Sequence, residues 1–338
     1  MFERLFKEKR IPHMLIIVSL LAGILVYTSL FTNIIQVSNK ASLAPPNNLS
    51  VFYMWINSLF GETSWWYIAK FAVFAIPSLL FLDQIAKNIK IFGDIYTMPV
   101  WLAFLVLLLL YSYDGFGTIV PAFMFLVMSS KSLLNFNMYR NGAFDSGLYL
   151  GIASLLFLPS IVLIIACIFG VLGLTAKKLS SILLFLIGLI LPAGLLGMSV
   201  YVFDIDVSIN IIELFSSYIS MESDYPTTIL IYSSVILLIT LLSAIVFNNV
   251  ITEKTVWDRM LNSYFLIFAA SIVIGCVLLP NLLRYFLVIY TIPFSYFFSL
   301  LYLGLKKKKP IYRLILVDGF TLFTLVQLSI VIFKSSVY

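Results

Sequence analysis

The sequence predicts an all-α fold: a single polytopic transmembrane bundle of ten or eleven helices that takes in residues 1–338. Hydrophobic residues make up 62% of the chain and charged residues only 11%, whereas a soluble domain carries about 25% charge. Apolar stretches long enough to cross about 30 Å of hydrocarbon recur along the chain. Most basic residues lie in alternate breaks between these stretches, as in membrane proteins with a fixed orientation.

The predicted spans begin with a helix that is retained in the mature protein. Lys7, Lys9 and Arg10 precede an apolar run over 11–35, which is longer than the core of a signal peptide and is followed by no small-residue cleavage site. The candidate spans, in chain order, cover residues 12–35, 65–86, 95–113, 117–131, 144–158, 160–174, 181–203, 227–248, 261–279, 285–304 and 311–333.

The number of spans depends on 144–174, which Pro159 interrupts. A proline inside a helix removes one hydrogen bond and clashes with the preceding turn, so the segment is either one kinked helix or two short helices joined by a turn at Leu158-Pro159-Ser160. Two short helices place Lys177 and Lys178 on the same side as most other basic residues, and the positive-inside rule favours them. The favoured topology has eleven spans, a cytoplasmic N-terminus and an outer C-terminus. Ten spans remain possible, because 117–131 and the two short helices could be re-entrant rather than spanning.

Two longer breaks fall on the outer side in this topology. The first covers about 36–64. The second covers about 204–226 and carries five acidic residues with no basic residue. Apolar residues at helical spacing within the second break predict a segment that lies flat on the membrane surface.

Three charged residues near the outer breaks, Glu62, Lys70 and Asp114, are candidates for a site. Lys70 lies inside a span, where an ionisable group is costly unless it is paired or hydrated. Lys70 lies within the second predicted span, either extending to the headgroups through Trp65 and Trp66 or facing an outer cavity that holds an anionic group. Asp114 lies in a tight turn where Asp-Gly is ordinary turn chemistry. With Glu62 it could instead form a catalytic acid/base pair or bind a cation.

The segment from Asn135 to Gly147 holds two more candidates. Arg140 and Asp145 bracket the entry to a predicted helix. One interpretation is a local ion pair in which Asp145 also offsets the positive helix end. The other is that Arg140 grips a phosphate beside that helix N-terminus.

Asp318 is the last candidate, about two turns inside the last predicted span. Arg313 lies five residues earlier and does not share its face well, so a partner on another helix is expected. One interpretation is that Asp318 and this partner form a purely structural pair. The other is that they serve substrate binding or transport.

The composition excludes several kinds of site. The single histidine, His13, cannot build a His-based metal site, and Cys167 and Cys276 lie inside apolar runs as small core residues. No metal ligand set and no cofactor are predicted, although carboxylates such as Glu62 and Asp114 would suit a divalent cation. The basic residues flank apolar runs, which disfavours nucleic acid as a partner and indicates membrane lipids.

The stretch from Ala143 to Pro159 (AFDSGLYLGIASLLFLP) resembles the signature region of a family of bacterial integral membrane proteins of similar length whose function is uncharacterised. Some members carry a carotene monooxygenase label. That class needs four iron-binding histidines, so the label does not suit a chain with one. A weaker similarity, through the first helix, the outer loop and the entry over Asn137 to Ala143, is to polysaccharide polymerases and membrane glycosyltransferases that use lipid-linked sugars.

Three functional hypotheses follow for this predicted inner-membrane protein. The resemblance favours a transferase or polymerase acting on lipid-linked glycans, with Asp114, Glu62 and Lys70 at an outer site and Arg140 binding phosphate. The second hypothesis is a non-catalytic subunit of an envelope assembly or export complex. The third is a secondary transporter that uses Asp318 and Lys70. An outer cavity lined by carboxylates would favour the first, a solid bundle the second, and a midplane cavity with broken helices the third.

Overall fold

A computed structural model describes residues 64–89, 99–100, 102–103, 105–107, 119–134, 142–174, 178–202, 227–251, 255–306, 316–324 and 326–327. These residues are helical almost throughout, and the predicted all-α class is confirmed. The α-helices, in chain order, are α1 (Ser64–Asn88), α2 (Ile119–Leu134), α3 (Gly142–Leu156), α4 (Ile164–Leu174), α5 (Lys178–Val202), α6 (Thr227–Ile251), α7 (Val256–Leu278) and α8 (Leu283–Lys306). Further helical residues lie within 99–107 and 316–327.

Eight of the predicted spans coincide with these helices to within a few residues. Two more predicted spans, over 95–113 and 311–333, are described only in part and are helical where they are described. The first predicted span and the outer breaks 36–63 and 204–226 lie outside the described residues. The number of spans therefore stays a prediction.

The predicted break at Pro159 is present. Helix α3 ends at Leu156, and Phe157 takes an extended conformation (φ −143°, ψ 93°) before a 3₁₀ segment over Leu158–Leu163 leads into α4. Pro159 lies in the first turn of that segment, where a missing N–H costs no hydrogen bond. By contrast, Pro192 and Pro293 lie inside the continuous helices α5 and α8.

The chain reverses direction at this break. A continuous helix would separate residues 146 and 167 by about 30 Å. Instead Ser129 hydrogen-bonds both of them: its hydroxyl lies 2.8 Å from that of Ser146 and 3.9 Å from the Cys167 sulfur. The single kinked helix is therefore excluded, and α3 and α4 are separate, oppositely directed helices.

Helices α3 and α5 approach each other so closely that only glycine fits between them. A Cβ atom on Gly147 would collide with the Phe185 carbonyl, and one on Gly188 would collide with the Phe144 carbonyl. At Gly151 a Cβ atom would lie 2.5 Å from the Leu189 carbonyl oxygen. Small residues four apart permit such backbone contact between membrane helices. The contacts advance along both chains together, so α3 and α5 are parallel.

Helices α7 and α8 instead pack through aromatic side chains. The rings of Phe265 and Tyr296 stack with centroids 4.2 Å apart, and Phe286 packs against Gly275. These contacts run in opposite directions along the two chains, so α7 and α8 are antiparallel. Helix α8 is the centre of the described bundle. Of the residues in its most apolar stretch 94% are buried, compared with 22% in the corresponding stretch of α5.

The peripheral helices expose apolar rather than polar side chains. Leu183, Ile187 and Ile190 of α5 are each more than half exposed, and α6 exposes Leu238 and Leu241 in the same way. An exterior on which so many large apolar side chains are exposed is unfavourable in water. It is the exterior expected of helices that face lipid.

Candidate functional site

The described helices have one end where charged residues gather, and we call it the basic end. Helix α2 finishes there with Lys131, and α5 begins there with Lys178. Helix α7 also begins there, with Asp258 and Arg259, because its Tyr264 bonds Ser130 of α2 at 3.0 Å. Antiparallel packing on α7 brings the C-terminus of α8 to the same end. The basic end therefore collects charges from helices that alternate in direction.

Lys131 is the best-defined cation at the basic end. It lies half-buried in the last turn of α2, and its Nζ is 4.6 Å from the centroid of the Phe81 ring on α1. An ammonium over an aromatic face is attracted by the ring quadrupole, and a cation in the last turn also complements the helix dipole. In the sequence, Lys131 is only one more basic residue beside an apolar run.

Asp145 is the one predicted site residue whose side chain can be placed at the basic end. It lies half-buried in the first turn of α3, where a carboxylate offsets the positive end of the helix dipole. One turn later Tyr149 stacks on Phe125 of α2 at 6.3 Å. Among the described residues, Asp145 forms no ion pair with Lys131.

The proposed partner of Asp145, Arg140, lies outside the described residues, so their pairing stays a prediction. The flanking residues Leu134 and Gly142 both lie at the basic end.

Asp318 lies in the helical stretch 316–324, on a different side of the bundle from Asp145. Its backbone carbonyl accepts a hydrogen bond from the Thr321 hydroxyl at 2.9 Å. Two residues on, Phe320 packs against Phe294 and Phe298 of α8, and against Tyr232 of α6. The structure therefore does not bring Asp318 and Asp145 into one site.

The other candidates cannot be placed by their side chains. Glu62 and Asp114 lie outside the described residues. Lys70 belongs to the second turn of α1, but only its backbone is described. The predicted outer site of Asp114, Glu62 and Lys70 thus stays a prediction.

Sequence reasoning missed the polar contacts that join helices α2, α3, α4 and α7. Ser129 bonds Ser146 and Cys167, while Ser130 bonds the buried Tyr264. Ser129, Ser146 and Cys167 belong to different apolar segments, and a single sequence gives no signal that they meet. Thr255 and Asp258 are different: their reciprocal capping box at the start of α7 follows the T-x-x-D spacing that marks helix N-termini.

The interior of the described bundle is apolar and closely filled. A narrow cleft of only about 10 Å³ lies between α1, α7 and α8, lined by side chains that include Leu82, Phe265 and Tyr296. Within the described ranges, no three His, Cys, Asp or Glu side chains gather where they could hold a metal ion. Cys167 is buried, Cys276 is partly buried, and both are free thiols.

Comparison with known proteins adds no identity: no family model, curated protein or solved structure matches the chain. The class of protein therefore rests on the fold. Within the part of the chain that the structure describes, three helices, over Lys178–Ser199, Val256–Leu278 and Pro280–Leu303, are long and apolar enough to cross a membrane. An all-α bundle of such helices with an apolar exterior defines a helical membrane protein.

Proposed function

We propose that the chain is a multi-pass protein of the bacterial inner membrane whose basic end faces the cytoplasm. The observation that carries this orientation is the charge at the two ends of the bundle. Lys131, Lys178 and Arg259 share one end, and the breaks that continue from it add Lys177, Lys254 and the run Lys306 to Lys309. Helices α5 and α6 flank the acidic break 204–226 at the other end. Basic residues accumulate in cytoplasmic loops, and an even number of spans before α3, such as the four predicted, would then put the N-terminus in the cytoplasm.

Within that membrane, we propose that the chain serves as a non-catalytic subunit of an envelope assembly. Support comes from the way the described bundle uses its polar side chains: Ser129, Ser146 and Tyr264 all bond across helix seams, and α8 is enclosed. Such joins fix helices relative to one another. They suit a rigid membrane scaffold better than a bundle that alternates between two packings.

A transferase acting on lipid-linked glycans is the second candidate. It is supported by the sequence, through the outer carboxylates Glu62 and Asp114, the nearby Lys70, and the similarity over Asn137 to Ala143 to membrane glycosyltransferases. A rigid bundle would also serve this function, since catalytic groups are commonly held in loops above a fixed scaffold. A divalent cation would be held by the two carboxylates, and the substrate would enter from the lipid.

Complementation of a strain that lacks the gene separates these candidates. Glu62→Gln and Asp114→Asn remove a charge each without changing side-chain size. A scaffold should tolerate both, whereas a transferase should lose the complemented phenotype while the protein level in the membrane stays unchanged. Asp318→Asn is the matched change for the transporter hypothesis. If this variant alone lost the complemented phenotype, the result would favour transport.

Orientation is tested separately, by cysteine accessibility in a variant that first lacks Cys167 and Cys276. A cysteine in place of Lys178 should react with an impermeant maleimide only after the cells are opened. A cysteine in place of Asp206, in the acidic break, should react in intact cells once the outer membrane is permeabilised. The reverse pattern would refute the proposed orientation.

A further inference from the structure

We propose that Lys131, held over the Phe81 ring, binds the headgroup of an anionic phospholipid at the seam between α1 and α2. The two helices pack directly against each other, and the Lys131 ammonium lies over the Phe81 ring at 4.6 Å. The inference rests on the membrane location proposed above. It adds a ligand to a position that the functional hypotheses do not use.

The charge balance around Lys131 indicates an anionic ligand. On α1, Lys87 is neutralised by Asp83, with Nζ and Oδ2 2.5 Å apart. Lys131, by contrast, has the face of an aromatic ring and forms no ion pair within the described part of the chain. A ring attracts the ammonium but leaves its charge uncompensated. A phosphate at the membrane surface would supply the missing negative charge.

The surroundings of Lys131 favour a lipid over a free phosphate ion. Leu80, next to Phe81 on α1, is more than half exposed and apolar. An acyl chain could lie against Leu80 and the ring edge while the headgroup reaches the ammonium. Lys178 and Arg259, at the same end on other helices, would raise the local concentration of anionic lipid.

Native mass spectrometry of the purified full-length protein with added phosphatidylglycerol tests the site. Lys131→Gln should weaken the tightest binding about fivefold, the contribution expected of one lysine at an anionic surface. Lys131→Arg should retain it, because the charge and the ring contact both remain. The matched control is Lys178→Gln, which removes the same charge from an exposed position at the same end.

Each outcome decides the proposal. The proposal is supported if Lys131→Gln alone loses phosphatidylglycerol binding while its phosphatidylcholine binding is unchanged. Inorganic phosphate at equal concentration should not compete with phosphatidylglycerol. Equal losses in Lys131→Gln and Lys178→Gln would show only general attraction to a basic surface and would overturn the site. Thermal unfolding in detergent checks that both variants are folded. Because binding to purified protein does not depend on orientation, this test can fail while the proposed topology stands.

Discussion

The α3–α5 pair and the α7–α8 pair meet in opposite ways. Helices α3 and α5 bring their backbones together through Gly147, Gly151 and Gly188, where no side chain intervenes. Helices α7 and α8 are held apart by rings, with Phe265 stacked on Tyr296. The first pair lies at the edge of the bundle and the second at its centre, since α5 is the most exposed of the candidate spans and α8 the most enclosed.

The difference shows how packing replaces the hydrophobic effect in lipid. An apolar side chain gains little by leaving lipid for a protein interior, so association depends on van der Waals contact and interhelical hydrogen bonds. A peripheral helix such as α5 has one partner face and gains most from close backbone approach. A central helix such as α8 is surrounded and gains more from large rings that fill space on all sides.

The largest effect is expected at the glycine contact. Gly147→Leu would force α3 away from α5, because even a Cβ atom there collides with the Phe185 carbonyl. Overpacking a filled interior costs about 1–3 kcal/mol and sometimes more, and here the obstacle is backbone that cannot rotate away. We expect a destabilisation of about 3 kcal/mol or more, seen as loss of folded protein by size-exclusion chromatography in detergent.

Gly197→Leu is the matched control on α5. A Cβ atom at Gly197 would have no neighbouring side chain or helix within 4 Å, and leucine forms helices better than glycine. This variant should therefore be as stable as the parent protein. If Gly147→Leu and Gly197→Leu were equally stable, α3 and α5 would not be in the close contact described.

Much of this fold could be predicted from the sequence, because hydropathy and the charge of the breaks are strong local signals. They located α5, α7 and α8 closely and, through Lys177 and Lys178, selected two short helices over one kinked helix at Pro159. The glycine contact was not predictable in the same way. Gly147 and Gly151 have the spacing of a helix contact, but nothing in the chain names Gly188 as their partner.

The candidate site was far less accessible to sequence reasoning. Charged residues within spans are chosen as candidates because lipid disfavours them. Lys70, Asp145 and Asp318 are chosen in this way, but the described residues do not bring them to one place. Convergence is a property of tertiary structure. Lys131 escaped notice because it lies at the end of an apolar run, and its contact with Phe81 joins two helices far apart in the chain.

A smaller effect is expected in the aromatic pair. Phe265→Ala would remove the ring that stacks on Tyr296, and both side chains are only 2% exposed. Such a change costs about 3–5 kcal/mol in a soluble core. In lipid the transfer term is largely absent, which leaves the cavity term and an expected loss of about 2 kcal/mol. Leu266→Ala, at the neighbouring 38% exposed position, should change the unfolding free energy in detergent little. Equal losses in the two variants would indicate that α7 does not turn Phe265 inward.

The smallest effect is expected at the serine join, and it would sharpen the contrast between the two modes of packing. Ser129→Ala removes the hydroxyl that Ser146 and Cys167 share. Interhelical hydrogen bonds in membrane proteins contribute about 0.6 kcal/mol on average, with a maximum of about 1.7. We expect about 1 kcal/mol in reversible unfolding, because one buried hydroxyl serves two neighbouring helices. Ser234→Ala on α6 is the control, since that hydroxyl bonds only its own helix, at Leu230. Equal and negligible changes would show that side-chain packing, without the serine bonds, orders α2, α3 and α4.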